Sequence, residues 1–61
     1  LEILSRREHQ VASLVLEGLQ NREIAERLDI AERTVKAHLS SIYNKTETSG
    51  RIGLIKKISR K

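Results

Sequence analysis

Apolar residues recur along this chain at intervals of three and four, the spacing of one face of an α-helix, and they do so in four separate runs. In the first run Val11 and Val15 fall within about 40° of each other on a helical wheel, with Ala12 and Leu14 beside them. Ser5 followed by Glu8 is a capping-box pattern, Leu4 stands before it as a hydrophobic staple, and Gly18 offers a left-handed exit. A first helix is expected over about 5–17. The second run, Ile24, Ala25 and Leu28, predicts a short helix over about 21–28, capped by Gln20 or Asn21, of which Asn is the better cap. In the third run Val35, Leu39 and Ile42 share a narrow stripe with His38 and Tyr43 at its margins, and the helix is expected over about 32–44. Polar residues from Asn44 to Gly50 then read as a loop. The fourth run places Leu54, Ile55 and Ile58 on one face with Ile52 off it, a helix over about 50–59 that Gly53 weakens by roughly 1 kcal/mol relative to Ala. Ser59 to Lys61 are expected to fray.

Four helices without a strand pattern make an all-α, compact four-helix domain. The link between the second and third helices, centred on Asp29 and Ile30, has the length of the turn in a helix-turn-helix. A chain of 61 residues buries only about 60% of the surface it exposes when unfolded, so the core has to be simple. It is also almost entirely aliphatic: there is one Tyr and no Trp, Phe or Met. That leaves little with which to stack single-stranded bases and favours a duplex partner. The absence of cysteine excludes a disulfide framework, a thiolate metal site and a cysteine nucleophile. No apolar run approaches the length of about 20 residues that a membrane helix needs, and no signal-peptide pattern is present.

Charge sharpens the choice of partner. The net charge is +4, but residues 1–30 carry four basic against six acidic side chains, a net of −2, whereas residues 31–61 carry eight against two, a net of +6. The positive half contains the third helix, whose arc opposite the apolar stripe holds Arg33, Lys36, Ala37 and Ser40. Long cationic donors paired with small side chains suit the DNA major groove, which is about 12 Å wide and displays acceptors to Arg and Lys. Lys56, Lys57, Arg60 and Lys61 read as a solvated face. His9 and His38 fall on different elements, and the chain has no glycine-rich phosphate loop and no metal-ligand spacing. Neither an enzyme, a cofactor nor a metal site is expected.

The residues Leu4, Ser5, Arg7 and Glu8, the run NREIAERL from Asn21, and TVKAHLSSIYNK from Thr34 resemble the LuxR-type (FixJ/GerE-like) helix-turn-helix domain over nearly the whole chain. The resemblance implies the output domain of a bacterial, cytoplasmic transcription regulator, nucleoid-associated when bound to DNA, behind a receiver or sensor domain. The 61 residues, which begin with Leu, are then a single domain excised from a longer regulator. It further implies that the third helix enters the major groove with Arg33, Lys36, Ala37 and Ser40 at the bases. Phosphate contacts are expected from Asn21, Arg22, Thr34, His38, Tyr43 and Lys45, and a homodimer contact from Ile52, Leu54, Ile55 and Lys56. For His38 the residue pattern alone leaves packing at the core edge and phosphate contact both open.

Departures from the family pattern carry their own expectations. Gln20 and Ala31 stand where the family usually has Ser or Thr, so two helix caps are expected to be weakened or shifted, each of a kind worth about 0.5–2 kcal/mol. Thr46, Glu47 and Thr48 stand where the family favours Leu, Gly and Val, which removes apolar anchors from the loop before the fourth helix. That loop and the extra apolar Ile52 support a second reading, a protein-interaction module that binds another regulator through the fourth helix.

Overall fold

The computed structural model describes residues 3–59; Arg60 and Lys61, expected to fray as part of a basic face, lie outside the described residues. Four helices follow one another: α1 (Arg6–Leu16), α2 (Asn21–Leu28), α3 (Glu32–Thr46) and α4 (Arg51–Ser59). The first helix starts as its capping box directs. The Ser5 hydroxyl accepts from the Glu8 N–H at 3.2 Å, and the Glu8 carboxylate accepts from the Ser5 N–H at 2.8 Å. Ser5 is therefore the cap rather than the first helical residue, and the helix ends one residue earlier than expected, at Leu16.

Three helices close in the same way. After α1, Gly18 takes φ 92° while Leu19 N–H reaches the Leu14 carbonyl at 3.2 Å. After α2, Asp29 takes φ 58° and Ile30 N–H reaches the Ala25 carbonyl at 3.0 Å. After α3, Glu47 takes φ 58° and Thr48 N–H reaches the Tyr43 carbonyl at 2.9 Å. In each, one residue in the left-handed region turns the chain back so that the next amide satisfies a carbonyl of the last turn. A glutamate does this at a cost that glycine avoids.

The third helix is longer than its apolar stripe implied. It continues through Asn44 and Lys45 to Thr46, which takes Asn44 and Lys45 out of the expected loop and gives a rod of 15 residues, about 22 Å long. Thr46 is buried in spite of its hydroxyl, because that group donates to the Ile42 carbonyl at 2.7 Å and pairs with the Thr48 hydroxyl at 3.0 Å. The expected loss of anchoring in this loop is thus offset by polar closure. At the other end, Ala31 caps α3 without any side-chain hydrogen bond, as its residue type dictates. Gln20, not Asn21, occupies the cap position of α2, and its N–H donates to the Glu23 carboxylate at 2.7 Å.

The core is where the four apolar stripes meet. Val11 and Val15 of α1, Ile24 of α2, Val35 and Ile42 of α3, and Leu54 of α4 are all essentially sealed from solvent. Leu19, Leu28, Ile30, Tyr43, Ile55 and Ile58 pack around them half-buried. α3 is the spine, packed chiefly against α1 and α2. Burying Leu54 completely fixes α4 to this core, and Arg51 ties its first turn to the α1–α2 loop by donating to the Leu19 carbonyl at 3.2 Å. No helix among the described residues is long and apolar enough to cross a membrane.

Candidate nucleic-acid interface

The side chains that hold α3 in place determine which ones it presents. With Val35, Leu39 and Ile42 directed into the core, the opposite arc has nowhere to face but outward, and Arg33, Lys36, Ala37 and Ser40 are all exposed. These four lie at i, i+3, i+4 and i+7, one continuous strip along the helix. Thr34, His38 and Tyr43 flank it half-buried, each with part of its surface committed to the fold and part left at the edge of the strip. Small Ala37 and Ser40, following the two long cations along the strip, leave room for the helix backbone to approach a groove floor.

Among the phosphate candidates the structure makes distinctions that residue type alone did not. Arg22 is exposed and shares only a loose i,i+4 pair with Glu26 at 3.8 Å, an arrangement worth little in water, so its guanidinium remains available to an anion. Asn21, the first residue of α2, is half-buried, and its side-chain oxygen accepts from Arg51 at 3.1 Å. Lys45 is placed differently from the expectation: its ammonium donates to the Glu8 carboxylate at 2.8 Å. It acts first as a clamp between α3 and α1, and only its other N–H groups are open to a phosphate.

Glu8 is the residue that the sequence reading undervalued. It was legible as half of a capping box, yet its carboxylate, in a residue only 6% exposed, accepts from three groups at once: Ser5 N–H at 2.8 Å, Ser41 Oγ at 2.6 Å and Lys45 Nζ at 2.8 Å. The hydrogen bonds from Lys45 and Ser41, with that from Ser5, hold its pKa down to about 2 against the opposing effect of burial. The signal for this contact was present, since Ser41 and Lys45 stand four apart on one side of α3.

The dimer candidates divide. Ile52 is 71% exposed, Lys56 is exposed and Ile55 is half-buried. Leu54 has no exposed surface at all; its assignment as a dimer contact is corrected, because its whole side chain is used inside the domain.

An exposed cationic strip on a rigidly seated helix, joined to the preceding helix by the three residues Asp29, Ile30 and Ala31, defines a helix-turn-helix domain that binds duplex DNA. The family follows from comparison with known proteins. The chain belongs to the luxR family of bacterial regulatory proteins, whose family model matches residues 2–58. It is 47% identical over 51 residues to the transcriptional regulatory protein DegU of Brevibacillus brevis, covering 84% of this chain and 22% of that protein. It is 43% identical over 53 residues to the monoamine regulon transcriptional regulator of Klebsiella aerogenes, covering 87% and 23%. With the tetrathionate response regulatory protein TtrR of Salmonella typhimurium the identity is 39% over 57 residues, covering 93% and 28%. The chain thus spans less than a third of the length of each of these curated relatives.

Proposed function

We propose that this chain is the DNA-reading output domain of a bacterial transcription regulator, with α3 seated in the major groove and Arg33, Lys36, Ala37 and Ser40 at the base edges. The observation that carries the reading is the division of α3 into a sealed stripe of Val35, Leu39 and Ile42 and an exposed strip of those four residues. Thr34, His38 and Tyr43 beside the strip, with Arg22 and Asn21 of α2, serve as phosphate contacts that set register, while base-edge contacts specify sequence. The domain is a single, non-catalytic unit of a longer cytoplasmic regulator, and the relative named a response regulatory protein supports a receiver domain upstream.

Dimerisation through α4 belongs to the same proposal, now carried by Ile52, Ile55 and Lys56 rather than Leu54. On a two-fold site it would set half-sites about one helical turn apart. The alternative of a protein-interaction module loses one of its two supports, because the segment 46–48 is closed by hydrogen bonds of its own.

Selection of bound duplexes from a random pool, followed by anisotropy titrations on the enriched and a scrambled sequence at several salt concentrations, tests the reading. An enriched motif with a steep salt dependence is expected. Lys36→Ala should weaken binding to the enriched sequence more than to the scrambled one, by the roughly 1–3 kcal/mol that a good base contact supplies. Equal losses on both would remove Lys36 from the base readers, and retention of no sequence over another would remove the specific function.

A further inference from the structure

A neutral residue at the start of a helix has no fixed preference for which end of its carboxamide faces solvent. Asn21 is such a residue, since rotation of its side chain by half a turn exchanges an acceptor for a donor. Here one neighbour decides. Arg51 Nη2 lies 3.1 Å from the Asn21 side-chain oxygen and 3.2 Å from the Leu19 carbonyl. A guanidinium has five N–H donors and no acceptor, so only the oxygen of Asn21 can face it. The Nδ2 hydrogens must then point away from α4. Asn21 is also the first helical residue of α2, where backbone N–H groups have no acceptor within the helix.

We propose that Arg51 is a positioning residue for DNA binding: it holds the Asn21 carboxamide with its two N–H groups outward, at the first turn of α2, as a preset donor for a backbone phosphate. The inference rests on the DNA-binding reading above and assigns Arg51 a role without direct contact to the nucleic acid. Arg51 is half-buried, and its guanidinium is occupied on the side facing α2. The arrangement also links α4 physically to the phosphate-binding end of the helix-turn-helix, because a shift of the first turn of α4 would release Asn21.

The test exploits the neutrality of Asn21. Removing a cation that itself touches a phosphate lowers the log-log salt slope of binding by about 0.9, whereas disorienting a neutral donor lowers affinity and leaves the slope unchanged. In Arg51→Gln the new amide can both donate and accept, so it no longer dictates the orientation of Asn21. Arg51→Gln and Asn21→Ala are each expected to weaken duplex binding about two- to tenfold, the range of one hydrogen bond, equally on enriched and scrambled sequences. The double variant should be no weaker than either single one. In the unmodified chain, the side-chain amide signals of Asn21 in a 15N-resolved spectrum should shift when duplex is added.

A slope reduced by about 0.9 in Arg51→Gln would make Arg51 a phosphate ligand and overturn the proposal. So would losses that multiply in the double variant, or Asn21 amide signals that stay put while other signals of the domain shift. That last measurement needs no variant to fold. Failure of the unmodified chain to bind any duplex at low salt would instead bring down the DNA-binding reading itself, and the Arg51 proposal with it.

Discussion

Replacing Glu8 by Gln is the most informative single perturbation of this fold. The change keeps shape and still offers an oxygen to the Ser5 N–H, as capping boxes with Gln do. It removes the charge, however: the oxygen that serves Ser5 also accepts from the Lys45 ammonium at 2.8 Å and would meet it as a neutral carbonyl, while an N–H donor turns toward the Ser41 hydroxyl, which now donates to the other carboxylate oxygen at 2.6 Å. The depression of the Glu8 pKa from 4.5 to about 2 corresponds to about 3 kcal/mol at 1.36 kcal/mol per unit. Solvent reaches Lys45, whose side chain is 39% exposed, and its screening lowers the figure to about 2–3 kcal/mol. A domain of this length has a total stability of only about 3–9 kcal/mol. The variant should therefore melt roughly 10–20 °C lower at pH 7, taking 4–8 °C per kcal/mol. The pH dependence is equally specific. Because the folded-state pKa lies below the unfolded one, the unfolded chain takes up the proton first. The contribution is complete above pH 4.5 and is lost as pH falls toward 2, so the melting temperatures of the two proteins should converge over that window. Thermal melts followed by far-UV circular dichroism in a pH series would measure both effects. A gap under about 3 °C at pH 7, or one that persists undiminished at pH 2, would mean that the Glu8 charge does not stabilise the fold.

Four further expectations concern stability. Glu47→Gly should stabilise the domain by about 0.5–1 kcal/mol, since glycine relieves the left-handed strain but adds freedom to the unfolded chain; no gain in a urea melt would remove the strain argument. Gly53→Ala should add about 1 kcal/mol, because the new methyl would meet Thr48 Cβ at an ordinary 3.6 Å, and a loss would mean that the contact is tighter than that. Ala31→Ser should stabilise the domain by about 0.5–2 kcal/mol in a urea melt by giving α3 the side-chain cap that it lacks. Leu54→Ala should cost about 2–5 kcal/mol while Ile52→Ala stays within about 0.5 kcal/mol, and the reverse order would return Leu54 to the surface.

Helix existence was legible wherever apolar spacing and a strong punctuator agreed. Ser5 with Glu8 and Gly18 marked the first helix to within a residue at each end, because those side chains perform their terminal roles whatever surrounds them. The end of the third helix was not legible, for the opposite reason. Glu47 adopts a backbone conformation that its residue type disfavours, and Thr46 is buried only through a bond to the Ile42 carbonyl that tertiary packing makes available. The exposed strip of Arg33, Lys36, Ala37 and Ser40 could be read directly, since a sealed stripe dictates its complement. What single elements could not disclose were contacts between distant segments: Lys45 to Glu8, 37 positions apart, and Arg51 to Asn21, 30 apart. Both involve cations whose surface appearance in the sequence gave no hint of an internal partner; Leu54 was misplaced for a different reason, since its dimer role came from the family resemblance, whereas apolar spacing had put it with Ile55 and Ile58 on the face that meets the core.

The aliphatic character of the core has an optical consequence. Tyr43 is the sole aromatic residue in the chain, and it sits on α3 with one side packed against the core and the other at the margin of the exposed strip. All intrinsic fluorescence of the protein thus originates from the helix proposed to enter the groove. No tryptophan competes for the excitation energy, so quenching or anisotropy of that one phenol reports the seating of α3 alone. Unfolding and ligand approach can both be followed at that position without a label.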